Sequence, residues 1–171
     1  PLRAKVLISA SGSGQMQPLP MNELIQQQLK AVGIEVEFEV LVWETLFNNW
    51  RQGAKDPASL GAHATNITFA THDPFAAIIR FMDSRNVAPV SLNWGYYANP
   101  KVDALIGELQ TAFDPTENRR VYTALHETLV EDAPFLFVGH DVGPRAMSSR
   151  VQGFVQAKSW FQDLTPVHMK P

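Results

Sequence analysis

A strand, a helix and a second strand follow one another within the first forty residues, and nothing else in the chain restricts the fold as much. Residues 4–9 (AKVLIS) read as a short strand. Residues 11–20 (SGSGQMQPLP) form a turn-rich connection, and residues 21–32 read as a helix with Leu24, Ile25 and Leu29 facing inward. Gly33 suits the left-handed position that ends such a helix. Residues 34–40 then alternate, with Ile34, Val36, Phe38 and Val40 on one face and Glu35, Glu37 and Glu39 on the other. A strand–helix–strand unit requires a right-handed crossover into a parallel pair. The expected fold class is therefore α/β, with a mainly parallel sheet flanked by helices.

The pattern continues in the same style. Residues 43–52 read as a helix with Leu46, Phe47 and Trp50 on one face, ended by Gly53. Residues 54–64 are a loop, 66–70 (NITFA) a third strand, and Asp73-Pro74 opens a helix through Ile78, Ile79 and Met82. Residues 83–91 read as a polar loop. The most strongly punctuated stretch is 93–138. Asn99 before Pro100 supplies a cap and a first helical residue that needs no N–H partner. Val102, Leu105, Ile106, Leu109 and Phe113 form an apolar stripe. Asp114, Pro115 and Glu117 mark the start of a second helix with a capping-box pattern. Its stripe is Val121, Leu125, Thr128 and Leu129, and Ala133-Pro134 closes it. Residues 135–138 (FLFV) read as a buried strand, 145–149 as another, and 153–171, with Trp160 and Phe161, as irregular chain.

Order and spacing in this stretch also carry a likeness. An aromatic pair (Tyr96, Tyr97), Asn99-Pro100 with Val102-Asp103 and Leu105-Ile106, then Asp114-Pro115 with Arg119, and Glu131-Asp132-Ala133-Pro134 resemble one lobe of a known family. The family is the extracellular solute-binding proteins of ABC importers, of the oligopeptide-, dipeptide- and nickel-binding type. The resemblance implies a periplasmic-binding-protein type II-like fold. It implies that residues 1–171 are the C-terminal ligand-binding lobe of a longer, two-lobed protein, an expectation in line with a chain that opens at Pro1-Leu2-Arg3 just before a strand. It further implies a small solute captured between this lobe and the N-terminal lobe of the same chain, and delivery to a membrane permease. The location would be periplasmic or extracellular. In peptide-binding members, the segment matching 67–74 reads like W-x-A-D-Y-x-D-P, its tryptophan walling the ligand and its first aspartate pairing with the peptide's amino group. Here Asp73 and Pro74 match, but Ile67 stands at the tryptophan position and Ala70 at the aspartate position. A buried ammonium without a carboxylate partner is strongly unfavourable, so the resemblance points to a sugar, another polar solute or a blocked peptide. The alternative is a ligand-sensing or interaction domain of the same fold, without transport.

Composition excludes several other classes. With 14 basic and 17 acidic residues the net charge is −3, which leaves no basic surplus for nucleic acid. No apolar run reaches the 18 residues a membrane span needs. There is no cysteine, hence no disulfide or thiolate site. Ser11-Gly12-Ser13-Gly14 joins a strand to a helix but lacks the lysine and spacing of a phosphate loop. His63, His72, His126, His140 and His168 include no helical pair at metal spacing, and no serine elbow is present. No cofactor, metal or catalytic residue is therefore expected. The glutamates of the second strand read as the solvated face of an outer strand, since three close carboxylates repel.

The better functional clue is aromatic. Ligands in α/β lobes bind beyond the carboxyl ends of parallel strands, against rings and a few polar groups. Trp50, Asn66, Thr68, Phe69, Trp94 and Tyr96 are the expected ligand-binding residues on that ground. For Trp50 and Phe69 a place in the core stands as an equal alternative.

Overall fold

The computed structural model describes residues 1–12, 17–69, 73–139, 145–157 and 161–170. β1 (Leu2–Ser9) and β2 (Ile34–Leu41) pair in parallel, from Leu2 opposite Ile34 to Ser9 opposite Leu41, as the opening pattern requires. β3 (Ala64–Thr65) pairs in parallel on the other side of β1, giving the order β2-β1-β3. The crossover through α1 (Pro18–Ala31) runs one way from β1, and that through α2 (Trp43–Gln52) runs back past it. Right-handed connections in opposite directions place the two helices on opposite faces of the sheet. The fold is α/β, as expected.

Several boundaries differ from the sequence reading. α1 starts earlier, because Pro18 and Pro20 occupy its first turn, where a missing N–H leaves nothing unpaired. Its Leu24 is 55% exposed, and Asn22 is the buried residue instead. Gly33 does take the left-handed position, at φ +86°. On β2, Glu35 and Glu37 face solvent, but Glu39 is half-buried and Val40 is exposed. As an edge strand, β2 has a neighbour on one side only. The third strand is the larger correction. Regular pairing stops at Thr65, with one further bond from Asn66 N–H to Leu7 O (2.8 Å), and residues 66–69 have no regular structure. β1 runs only two residues past the partner of Thr65, to Ser9, so it offers nothing beside residues 68 and 69. Ala70 lies outside the described residues.

α3 (Pro74–Met82) begins where Asp73 accepts a bond from Ala76 N–H (2.9 Å). The loop after it is ordered by its own polar groups. Asp83 is buried beside Arg85, and buried Asn93 bonds both backbone groups of Tyr97 (2.7 and 2.9 Å). α4 (Pro100–Leu109) and α5 (Pro115–Asp132) are capped by Asn99 and Asp114, and Glu117 bonds Arg120 through its side chain. Val102, Leu105, Ile106 and Leu109 of one helix and Val121, Leu125, Thr128 and Leu129 of the other are buried. Phe113 is not part of the stripe. α4 stops four residues short of it, and the ring is 89% exposed. Leu7, Leu46, Trp50, Phe81 and Trp94 join these stripes in one core.

The C-terminal expectations fail. Residues 135–138 form no strand and are 37–67% exposed, and no strand forms at 145–149. A strand needs a partner, and none lies beside either segment among the described residues. Instead β4 (Val151–Gln152) and β5 (His168–Met169) make a small antiparallel pair. His72, His140 and Trp160 lie outside the described residues.

Candidate functional site

The carboxyl edge of the sheet gathers three chain segments: 9–12 after β1, Trp43 after β2 and 66–69 after β3. The strand order reverses direction around β1 here, the place where open α/β sheets leave a crevice. Gly12 sits at φ +129° with the Trp43 ring directly over it, and a Cβ there would come within 2.6 Å of the indole. Only glycine lets that ring lie against the backbone. Trp43 leads to Phe47 (centroids 6.0 Å apart), Phe47 to Phe69 (6.1 Å) and Phe69 to Trp50 (4.8 Å) and Phe81 (4.9 Å). Trp43, Phe47 and Phe69 are half-buried, whereas Trp50 and Phe81 are buried. The Arg51 guanidinium lies 5.6 Å from the Phe47 ring centre. Amides and hydroxyls stand on the other side of β1. Asn66 Nδ2 donates to Asn22 Oδ1 (2.8 Å), Asn22 Nδ2 donates to Pro18 O (2.7 Å), and Ser9 Oγ donates to Ser11 O (2.6 Å).

The structure brings Trp50, Phe69 and Asn66 to this edge or just behind it, with half-buried Thr68 between the last two. Trp50 is 2% exposed and backs the wall from the core. Trp94 and Tyr96 lie elsewhere, against the C-terminal end of α2. Ala54 N–H donates to Trp94 O (2.9 Å), Trp94 Nε1 donates to Ser59 Oγ (3.1 Å), and Trp94 is 8% exposed. Tyr96, at φ +57°, lays its hydroxyl over Gly53, and Lys55 Nζ sits 4.3 Å above its ring. No ring contact joins these two to the Trp50–Phe69 pair among the described residues. Trp43 and Phe47 were absent from the expected set. The available signal was position: Trp43 stands two residues past a strand's carboxyl end.

The polar residues behind the family likeness turn out to tie elements together. Asp103 accepts bonds from Ser84 N–H (3.0 Å) and Ser84 Oγ (2.6 Å). Asp132 at the end of α5 accepts the Tyr97 hydroxyl and Asn99 Nδ2 (2.6 Å), closing α5 onto the start of α4. Burial and then the Asp132 carboxylate push the Tyr97 phenol up to about 12. The same bond, seconded by Asn99, holds Asp132 below the usual carboxylate range. Asp83 is also held low, chiefly by its bond from Arg85, against the opposing effect of burial.

The wall offers apolar surface and amide groups, which is the chemistry of binding. No cluster of three or more metal-ligating side chains occurs among the described residues. Two surface depressions of about 440 and 430 Å³ lie away from this edge, on the outer side of α5 and at the amino-terminal ends of β1 and β2.

No family model matches the chain. It is similar to the oligopeptide-binding protein AppA of Bacillus subtilis, 23% identical over 132 residues, which is 77% of this chain and 23% of that one. Among solved structures it superposes on the clavulanic acid biosynthesis oligopeptide binding protein 2 with a TM-score of 0.85 at 18% identity, covering 99% of this chain and 31% of that one. It also superposes on the ABC transporter-associated periplasmic binding protein DppA from Helicobacter pylori, solved with the peptide STSA. That TM-score is 0.73 at 16% identity, over 99% and 31% of the two chains. The chain thus carries the fold of the family 5 solute-binding proteins, and the likeness read from its sequence holds. It spans about a quarter of the length of the curated relatives it matches.

Proposed function

We propose that residues 1–171 are the C-terminal lobe of a two-lobed solute-binding protein that serves an ABC importer from the periplasmic or extracellular side. The observation that carries this reading is the aromatic and amide wall at the carboxyl edge of a sheet whose whole surrounding fold is shared with such binding proteins. The N-terminal lobe of the same polypeptide closes over the wall, hinge-fashion, and the closed form docks on the permease. Trp43, Phe47 and Phe69 present ring faces to the solute, and Asn66 and Thr68 supply polar contacts. Trp50 holds the wall from behind, while Trp94 and Tyr96, at the C-terminal end of α2, brace the chain there and take no part in the wall. The solute is peptide-like, a sugar or another polar compound. Its recognition uses stacking and hydrogen bonds, and no step of chemistry is done on it.

The test is a thermal-shift screen of the full-length protein against peptides, blocked peptides and sugars. A compound that binds only the native state raises the midpoint. Calorimetry then compares the full-length protein with residues 1–171 alone. One lobe lacks the opposing wall and leaves its half-site in water, so the expected result is binding by the full-length protein and little or none by the lobe. Equal affinity in both would place the pocket wholly within this chain and overturn the two-lobe reading.

A further inference from the structure

The aromatic stripe of α2 ends in a charge. Trp43, Phe47 and Arg51 stand four residues apart, so they share one face of the helix. The two rings are in contact, with centroids 6.0 Å apart, and the Arg51 guanidinium lies 5.6 Å from the centre of the second. A ring face steadies a guanidinium without cancelling its charge. No carboxylate cancels it either. Among the described residues the arginines in ion pairs are Arg3, Arg85 and Arg120, and Arg51 is in none. Glu44, the only acid of α2, stands seven residues earlier, about 10 Å away along the helix axis. The other segments of this edge, 9–12 and 66–69, contain no acidic residue and no second cation.

We propose that the solute held at this wall is an organic acid, with an apolar or aromatic body against Trp43, Phe47 and Phe69 and a carboxylate on Arg51. This deepens the binding reading above and rests on it. Closure of a second lobe takes the edge out of water. A neutral or cationic solute would then leave the Arg51 charge uncompensated, whereas a carboxylate neutralises it. The planar guanidinium meets a carboxylate through two parallel N–H donors. The same segments offer no carboxylate to a solute ammonium, so an acid whose amino group is blocked or absent fits better than a zwitterion.

Matched probes that differ only in that charge test the assignment: short N-acetylated peptides ending in phenylalanine, each as the free acid and as the C-terminal amide. Calorimetry on the full-length protein is expected to show the acid bound at least about 10-fold tighter than its amide, the worth of one hydrogen bond to a charged group. Arg51→Gln should bring the acid down to the level of the amide. Arg51→Lys, which keeps the charge and loses the fork, should restore part of the preference. Arg51 is exposed, so urea midpoints close to that of the unaltered protein verify that both variants fold. Equal binding of acid and amide would overturn the proposal. So would a preference that survives in Arg51→Gln, which would put the selecting cation elsewhere. Failure of every acid to bind would overturn it too, and sugars bound in that same screen would leave the binding-protein reading intact. Arg51-dependent acid binding of equal strength in residues 1–171 alone would uphold the proposal and remove the two-lobe reading.

Discussion

The apolar stripes of the α4–α5 hairpin and the apolar run that follows it end up in opposite states. Leu125, in the middle of α5, is fully buried, while Leu136, eleven positions later, is 67% exposed. Inside the hairpin every requirement is met within a few residues: Asp114 caps the next turn, and each stripe residue finds its neighbour one helical turn on. Residues 135–138 need a partner strand, which no local spacing can provide. Apolar character says that a residue will be covered. It does not say by what.

The largest test of this contrast is a truncation in the hairpin. Leu125→Ala should cost about 2–5 kcal/mol by urea unfolding, as large-to-small changes in packed cores do. A loss below about 0.5 kcal/mol, the level of a surface change, would mean that the hairpin is no better packed than the segment after it. Next comes the cap. Asp114→Ala removes acceptors for Thr116 and Glu117 N–H and should cost about 1 kcal/mol, with Asp114→Asn restoring most of it.

A smaller effect is expected where the hairpin hands over to the exposed segment. Tyr97 binds its proton more tightly folded than unfolded, so its contribution is full below the ordinary phenol value of about 10 and is lost as pH rises through about 12. Asp132 is shifted the other way. Its contribution is present above the ordinary carboxylate value of about 3.9 and is lost as pH falls through its lowered value. Tyr97→Phe should therefore be less stable than the unaltered protein near neutrality, with the gap narrowing at both ends of a pH series of urea midpoints. A gap that stays constant with pH would mean that the tie is absent in solution. The smallest effect belongs to Leu136→Lys in residues 1–171 alone, expected within about 0.5 kcal/mol. A loss as large as that of Leu125→Ala would show that this segment is packed within the chain, and the contrast would collapse.

The sequence by itself determined the features whose causes lie within one turn or one strand. Alternation and a short helical connection were enough for the parallel pairing of β1 and β2. Asn99, Asp73 and Asp114 marked three helix starts, because a cap reaches a backbone N–H only two or three residues on. Trp50 and Phe69 were legible as neighbours of a strand's end, but whether each ring backs the wall or faces outward was not. Trp43 was not legible because its place depends on Gly12, some thirty residues earlier, opening space for the indole, and Phe47, legible on a helix face, joins the wall only through its contacts with Trp43 and Phe69. Only the tertiary structure decided that the third strand stops at Thr65, two residues before β1 ends, and that Asp132 answers to Tyr97 and Asn99, 35 and 33 residues away. Such pairings form when the chain closes a long loop. The free energy that selects them resides in the contact made in three dimensions, which has no signature in the spacing of either partner.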